Sequence, residues 1–399
     1  MSPLRIAVAI GQLIPGEGGA ELQALRLAAA LQRRGHQVEI LTSRPAGRPA
    51  VEYLQGVPVR RLFAFGNARG LWRLGIYSFM GLVGETLVRE RHRFDLVHVH
   101  QLLHTACAVM ATRPLHRLPV LIKLATAGRY GDLHQMRTGQ TAFVLSRQLL
   151  PLALGADRLV AISDEIAREL QEAGVAPERI VRIPNGVVLP AQTTTPAARA
   201  AARTALGLTD EDEVVVYVGR CEPQKGPDLL LAAWGELRRR PRCHLFALGK
   251  GFPTDARFQR AALVSSRLRL PGRVADVTRY LAAADVLIHP SRGEGLSNAL
   301  LEAMAHGLAC VASGIQANVE LLAGAGLLAP PEDGAALGRL AAELLDDPVR
   351  RQQIGLAGRR RAEGFSLEAV AERYERLYKE LLGEPGPHRS AAVSTVQGR

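Results

Sequence analysis

The chain has 399 residues, of which 47% are hydrophobic and 22% are charged, so it is too long for one ordinary hydrophobic core and has enough apolar residues for two. This composition excludes a chain that is disordered over most of its length. The formal net charge of +12 suits anionic partners such as phosphorylated metabolites or an acidic membrane surface, but the basic residues are scattered and aromatic residues make up only 5%, so nucleic acid is not an expected partner.

The first half of the chain alternates short apolar runs with amphipathic helical stretches. It opens with MSPLRIAVAI, which lacks the long apolar segment of a signal peptide and runs directly into a strand predicted at 4–10. A helix is predicted at 21–35. Strands alternating with helices predict parallel βαβ units in a doubly wound sheet. The further strands are predicted at 36–42, 94–100, 119–125, 157–163 and 179–185.

A second alternating series follows a stretch rich in Thr, Ala and Pro at 187–200, within which we predict an interdomain linker at 191–200. The helix at 365–383 is strongly amphipathic and therefore needs a surface to pack on. Strands of the second series are predicted at 213–219, 243–249, 284–290 and 308–314. The predicted organisation is a first domain at 1–190, a second domain at 201–364, the separate helix at 365–383 and a disordered tail at 384–399.

Ligands of doubly wound sheets bind at the loops that follow the strands, and the first such loop is GQLIPGEGGAE at 11–21. Gly16, Gly18 and Gly19 let the backbone approach a ligand, and the start of the next helix favours an anion. The dinucleotide pattern GxGxxG is not met because Glu21 stands at its third glycine. A glycine turn needed only for packing is the alternative interpretation.

The loop VGRCEPQKG at 218–226 places two cations after the first strand of the second domain. A turn through Pro223 can bring Arg220 and Lys225 to one spot, where they suit a diphosphate whose charge grows as a leaving group departs. Two solvated surface charges are the alternative, and that is the more common situation of such residues.

A third loop, HPSRGEGLSNALLEAMAHG at 289–307, carries Glu294 in a glycine-flanked turn and Glu302 inside the following helix. Ser297 or Asn298 can cap that helix, and its free N–H groups can hold phosphate oxygens. A carboxylate at Glu302 can accept hydrogen bonds from a pair of ribose hydroxyls. An ordinary capped helix with one exposed glutamate is the alternative.

Together these segments resemble the family 4 retaining glycosyltransferases of the GT-B fold, over nearly the whole chain. EGLSNALLEAMAHG fits the family's E-x7-E element and VGRCEPQKG fits its R-x4-K element, in the right order. IPNGV at 183–187 and the terminal FSLEAVAERYERLY support the resemblance. It implies an α/β protein with two Rossmann-like doubly wound domains facing a cleft, and a C-terminal helix that crosses back to the first domain.

The resemblance also implies a metal-independent hexosyltransferase that retains anomeric configuration and uses no cofactor, since the nucleotide sugar is a co-substrate. A UDP-sugar is the first choice of donor, and a sugar or lipid-linked acceptor in polysaccharide or glycolipid biosynthesis is the implied acceptor. By similarity, Arg220 and Lys225 would hold the donor diphosphate, and Glu294 would contact the transferred sugar. The remaining donor contacts would come from Gly18, Gly19, Val274, Gly295, Leu296, Ser297, Asn298 and Glu302.

One departure from the family concerns the segment after the strand at 119–125. Many members carry a histidine there, where this chain has Ala125 and Thr126. This leaves open a catalytically impaired nucleotide-sugar-binding protein, and an epimerase or phosphorylase of the same architecture is a further alternative. The candidates for contacts with acceptor or sugar are Lys123, Arg129, Tyr130 and, at a neighbouring strand end, His100.

Neither a metal site nor a membrane span is expected. His98, His100 and His104 are interpreted as core or cleft histidines rather than ligands, and the four cysteines form no CxxC pair. No uncharged apolar stretch is long enough to span a bilayer, so a cytoplasmic protein is predicted. The segment 62–94 mixes aromatic residues with arginines, which suits either peripheral contact with the inner membrane face or a core helix with a basic end.

Overall fold

The computed structural model describes residues 3–13, 18–65, 72–141, 143–191 and 194–383. The predicted tail at 384–399 lies outside the described residues, as do Gly16 of the first loop, residues 66–71 of the segment 62–94 and residues 192–193 of the predicted linker.

The first domain is built on an eight-stranded sheet with the order β3-β4-β2-β1-β5-β6-β7-β8. Among the described strands of this sheet, every neighbouring pair is parallel except β3 with β4. The strands are β1 (Arg5–Ile10), β2 (Gln37–Ser43), β3 (Val51–Leu54), β4 (Val57–Leu62), β5 (Leu96–His100), β6 (Val120–Lys123), β7 (Arg158–Ala161) and β8 (Ile180–Arg182). The helices are α1 (Gly19–Arg33), α2 (Trp72–Arg89), α3 (His104–His116), α4 (Asp132–Thr138), α5 (Ser146–Ala153) and α6 (Asp164–Glu172).

The second domain contains a six-stranded parallel sheet with the order β11-β10-β9-β12-β13-β14. Its strands are β9 (Glu213–Val218), β10 (Cys243–Leu248), β11 (Leu268–Gly272), β12 (Val286–His289), β13 (Ala309–Ser313) and β14 (Leu327–Ala329). Its helices are α7 (Pro196–Ala205), α8 (Pro227–Leu237), α9 (Ala256–Val264), α10 (Thr278–Ala283), α11 (Asn298–Ala305), α12 (Gln316–Leu322), α13 (Gly334–Asp346) and α14 (Pro348–Glu363). A last helix, α15, spans Leu367–Leu381.

All of the predicted strands are present, but β3, β4, β11 and β14 were not predicted. β3 and β4 form a hairpin around Gln55 and Gly56, both with positive φ, whereas β11 contains a proline and β14 has only three residues. The predicted linker extended too far, because α7 begins at Pro196, where the Thr195 hydroxyl accepts a hydrogen bond from the Ala198 N–H. Thr-Pro is a helix-start signal, although the surrounding Thr, Ala and Pro residues resemble a loop.

The strand orders locate the places where each sheet can bind a ligand. The chain reverses its direction of winding between β1 and β5 in the first sheet, and between β9 and β12 in the second. Loops that follow strands on either side of such a reversal leave a crevice at the carboxyl edge of the sheet. In the second sheet these are the loops with Arg220 and Lys225 and with Glu294.

Helix α15 returns to the first domain, which confirms the predicted GT-B arrangement. Its buried face includes Val370, Tyr374 and Leu377, which pack in one cluster with Ile6 and Val8 of β1. The Val187 N–H donates to the Phe365 carbonyl, and the Leu367 N–H donates to the Val187 carbonyl, so the start of α15 is tied to the end of the first domain. No helix among the described residues has the length and apolar character needed to cross a membrane.

Replacing Leu377 by alanine tests this packing. Leu377 is 4% exposed, so Leu377→Ala should lower the free energy of unfolding by about 2 to 5 kcal/mol through lost burial and a cavity. Urea unfolding followed by circular dichroism measures this loss. Leu263→Ala is the control, since Leu263 is 87% exposed and its loss should change stability by less than about 0.5 kcal/mol. Equal effects of the two substitutions would contradict the packing of α15.

Candidate active site between the domains

A buried ion pair lies at the point where the second sheet reverses. The Lys225 Nζ lies 2.7 Å from Glu294 Oε1 and 2.8 Å from Oε2. Lys225 ends a short turn after β9, and the turn closes at Gly226, whose φ of +64° suits glycine. A side chain at Gly226 would also overlap the carbonyl oxygen of Pro290, so the two loops approach each other only because this residue is glycine.

Glu294 is held ionised in this buried position. Its carboxylate also contacts His289, whose Nε2 lies 3.0 Å from Oε1. Burial alone would raise the pKa of Glu294, but the positive charge of Lys225 and the hydrogen bonds from His289 and Lys225 lower the pKa well below its usual range. The sequence reasoning missed His289, although its position as the last residue of β12 could have indicated it.

The loop around Glu294 packs closely against the first domain. A Cβ at Gly293 would lie 2.6 Å from a ring carbon of Tyr130, and a Cβ at Gly295 would overlap the carbonyl oxygen of Ala125. Both glycines therefore leave room for residues of the first domain. Tyr130 and Ala125 come from the segment after β6, which replaces the family's histidine, so this segment does face Glu294.

Arg220 is less confined than Lys225. Its side chain is 47% exposed and pairs with Glu222 at 3.0 Å. Tyr217 stabilises the loop between Arg220 and Lys225. Its hydroxyl lies 3.2 Å from the Arg220 carbonyl oxygen and 3.4 Å from the Lys225 carbonyl oxygen. Tyr217 therefore holds the backbone of Arg220 in the same loop as Lys225, while the Arg220 guanidinium lies near solvent; sequence reasoning missed this supporting role of Tyr217.

Helix α11 meets the first domain through its first residue. Ser297 caps the helix by accepting a hydrogen bond from the Leu300 N–H, as one of the two predicted alternatives. The Asn298 side-chain oxygen accepts from Gln23 at 3.0 Å and from Asn185 at 2.9 Å, and its Nδ2 donates to the Gly19 carbonyl at 3.1 Å. The side chain of Asn298 is thus committed to contacts between the domains.

Glu302 also contacts the first domain. Its Oε1 lies 2.6 Å from Arg26 NH1, and the two side chains are 15% and 21% exposed. Arg26 lies on α1, on the same helix that presents Gly19 and Gln23 to Asn298. Helices α1 and α11 therefore meet at their first residues and again further along. Sequence reasoning missed Arg26, because nothing local distinguishes it from the other arginines on the helix surface.

The remaining predicted donor residues are placed at the same edges of the two sheets. Gly18 directly precedes α1. Gly295 and Leu296 line a cavity of about 410 Å³ between the domains, which also involves Arg182. Val274 follows β11 and packs partly buried against the core. The cavity is bounded by a contact between Arg182 and Glu320, which also accepts a hydrogen bond from the Asp164 N–H at 2.9 Å.

The predicted acceptor residues fall into two groups. Arg129 lies over the Tyr130 ring, 4.8 Å from its centre, next to the Glu294 loop. Lys123 and His100 are instead buried at 4% and 2% exposure, at the ends of β6 and β5 beneath α15. His98 lies beside His100, with Nδ1 2.7 Å from the Tyr378 hydroxyl. Within the described ranges, no three His, Cys, Asp or Glu side chains are arranged as a possible metal site.

Solved structures define the class of protein to which this architecture belongs. Sucrose-phosphate synthase from Thermosynechococcus elongatus matches with a TM-score of 0.78 and 23% identity, over 96% of this chain and all of that one. Anabaena HepE in complex with UDP-glucose matches with a TM-score of 0.74 and 19% identity, over 94% of this chain and 99% of that one. The fold is that of the GT-B glycosyltransferases.

Sequence comparisons specify the family. The family described as "Glycosyltransferase Family 4" matches residues 17–189, and that described as "Glycosyl transferases group 1" matches residues 212–347. The D-inositol 3-phosphate glycosyltransferase of Kineococcus radiotolerans is 33% identical over 94% of this chain and 93% of its own, and that of Nocardia farcinica is 32% identical over 92% and 86%. The chain belongs to the family 4 glycosyltransferases.

The contact between Lys225 and Glu294 can be tested by a double-mutant cycle, because breaking a buried pair costs far more than removing both charges. Lys225→Met leaves Glu294 buried without its cation and should lower the free energy of unfolding by about 3 kcal/mol. Adding Glu294→Gln removes the uncompensated charge, so the double variant should recover most of the loss. Chemical unfolding of the four proteins in this cycle measures the coupling, and additive losses would contradict a direct interaction.

Proposed function

We propose that this glycosyltransferase moves a sugar from a UDP-sugar to a hydroxyl acceptor with retention of configuration and without a metal ion. The observation that carries this proposal is the contact of Lys225 with Glu294. It lies where the second sheet reverses its winding between β9 and β12, in loops that face the first domain. The GT-B neighbour with UDP-glucose bound supports UDP as the nucleotide.

In this proposal the donor diphosphate lies between Lys225, Arg220 and the start of α11. Departure of the nucleotide leaves negative charge on the diphosphate, and fixed cations with helix N–H groups stabilise that charge. Arg220 is exposed and can turn from Glu222 toward a phosphate at little cost, since exposed ion pairs contribute little. These groups supply the neutralisation for which a metal would otherwise be needed.

We propose that retention is achieved by front-side attack, without a covalent glycosyl-enzyme intermediate. A carboxylate that is bonded to Lys225 and His289 is poorly placed to attack the sugar as a free nucleophile. We therefore assign Glu294 to binding the transferred sugar, while the departing phosphate accepts the proton of the acceptor hydroxyl as the new glycosidic bond forms on the same face. Glu302 would bind the ribose through Oε2 while Oε1 stays with Arg26.

For the acceptor we propose a phosphorylated, polyhydroxylated small molecule. The curated relatives that support this choice are D-inositol 3-phosphate glycosyltransferases, which match along nearly their whole length. A cytoplasmic location suits such substrates.

A lipid-linked acceptor at the inner membrane face is the second candidate, because one surface of the first domain exposes large apolar side chains. Phe63 and Phe65 are 53% and 63% exposed and stack edge to face, and Leu74 on α2 is 52% exposed. Vesicle co-sedimentation distinguishes the two candidates.

A thermal-shift screen of nucleotide sugars followed by product analysis tests the reaction. One UDP-sugar should raise the melting temperature, and Lys225→Ala should lower kcat/KM by about 10²- to 10³-fold because a cation at the leaving group is lost. Activity should persist in EDTA, and NMR of the product should show the donor's anomeric configuration. An epimer or a sugar phosphate in place of a glycoside would overturn the proposal in favour of an epimerase or phosphorylase, and donor binding without turnover would indicate an impaired binding protein.

Arg26 should act as a positioning residue for the ribose. Arg26→Met should raise the donor KM about tenfold with little change in kcat, because Glu302 loses the partner that orients it. Arg26→Lys should restore part of the loss. Arg33→Met is the matched control, since Arg33 lies on the same helix in an exposed pair with Glu368. Equal KM values for the Met variants would contradict this role.

A further inference from the structure

Three basic side chains are buried together at the carboxyl edge of the first sheet. His98 and His100 lie on one face of β5, with ring centres 4.4 Å apart, and Lys123 ends β6 opposite His100. Their exposed fractions are 0%, 2% and 4%. Helix α15 covers this face with Tyr374, whose ring centre lies 5.9 Å from the Lys123 Nζ. We call His98, His100 and Lys123 the basic cluster.

The basic cluster has no acidic partner among the described residues. No carboxylate forms a salt bridge or hydrogen bond with Lys123, and the Nε2 atoms of both histidines are buried without a hydrogen-bond partner. The Tyr374 hydroxyl is buried and unpartnered as well. Burial lowers the pKa of Lys123 to about 7, and burial followed by the nearby positive charge of Lys123 lowers the pKa of His98.

Among the described residues of the first domain and helix α15, the other lysine is Lys379, and it does have a carboxylate partner. Lys379 on α15 lies 2.6 Å from a Glu375 oxygen, as is usual for a lysine that is largely buried. A buried cation without a counter-ion is costly, and unsatisfied buried donors add to that cost. An anion at the basic cluster would relieve both, because it would pair with the ammonium and accept hydrogen bonds from the imidazoles.

The cluster lies close in the chain to a contact between the two domains. Lys123 precedes Ala125 by two residues, which is at most about 7 Å of extended chain, and the Ala125 carbonyl touches Gly295 beside Glu294. The cations proposed for the donor diphosphate, Arg220 and Lys225, belong to the second domain. An anion at Lys123 would therefore belong to the other substrate, which approaches from the first domain.

We propose that Lys123, together with His100 and His98, binds a phosphate monoester carried by the acceptor. This inference rests on the proposed function and deepens it, since it specifies the acceptor's charged group and the residues that hold it. The acceptor hydroxyl that attacks the sugar would then be one that lies within reach of Glu294 while the phosphate remains at β5 and β6.

Inorganic phosphate is the direct probe, because its binding does not require glycosyl transfer. Phosphate should raise the melting temperature of the wild-type protein, and this shift should survive in Lys225→Met but be lost in Lys123→Met. Lys379→Met is the matched control, because it removes the lysine on α15. Phosphate should raise its melting temperature as much as that of the wild-type protein. If Lys123→Met responds to phosphate as wild type does, the proposal is wrong.

Kinetics with a pair of acceptors, with and without the phosphate group, provides the second measurement. Lys123→Met should raise the KM for the phosphorylated acceptor at least tenfold. The KM for the acceptor without the phosphate group and the Kd for UDP should not change. A matching loss of UDP affinity would overturn the proposal by assigning the cluster to the donor. His100→Gln should show the same selectivity to a smaller degree, which covers the case that Lys123→Met does not fold. If phosphate stabilises the wild-type protein but not Lys123→Met, and the wild-type protein forms no glycoside, the proposed function is contradicted but the phosphate site is supported.

Discussion

The carboxylate of Glu294 is buried where the carboxyl edges of the two sheets meet, and it remains ionised there because Lys225 and His289 contact it. Desolvation of a single charge in this position would cost several kcal/mol, so the loops after β9 and β12 must keep their relative positions. Gly226 permits that approach by leaving room for the Pro290 carbonyl. The geometry of the proposed donor site therefore depends on one electrostatic contact inside the second domain.

The relation between the two domains depends on a different kind of contact. Gly19, Gly293 and Gly295 each leave room for a group of the other domain, and polar side chains then bridge the domains. Asn298 bonds to three groups of the first domain, and Glu302 pairs with Arg26. Both belong to α11, the helix whose start is proposed to hold the donor, so binding of the nucleotide and approach of the first domain involve the same residues.

The half-buried Lys225 and the buried Lys123 differ in whether the fold provides a carboxylate partner. Lys225 has its carboxylate within the fold, which stabilises the loop before any substrate binds. Lys123 has no carboxylate partner among the described residues, so burial disfavours its charge, which the proposed anion would stabilise. The first arrangement preserves the shape of a site, whereas the second makes binding of a charged group favourable. The two lysines lie on opposite domains, as the proposed donor and acceptor sites do.

The sequence by itself determined the alternation of strands and helices, the two-domain division and the motifs that carry Lys225, Glu294 and Glu302, because these depend on local periodicity and on spacing within a loop. The sequence did not indicate the hairpin of β3 and β4 or the start of α7, because a short turn and a Thr-Pro cap resemble loop sequence. Only the tertiary structure decided that Arg26 meets Glu302, that His289 supports Glu294 and that Lys123 is buried without a carboxylate partner among the described residues. Such contacts join residues far apart in the chain, and no local pattern records which distant side chain a folded surface will present.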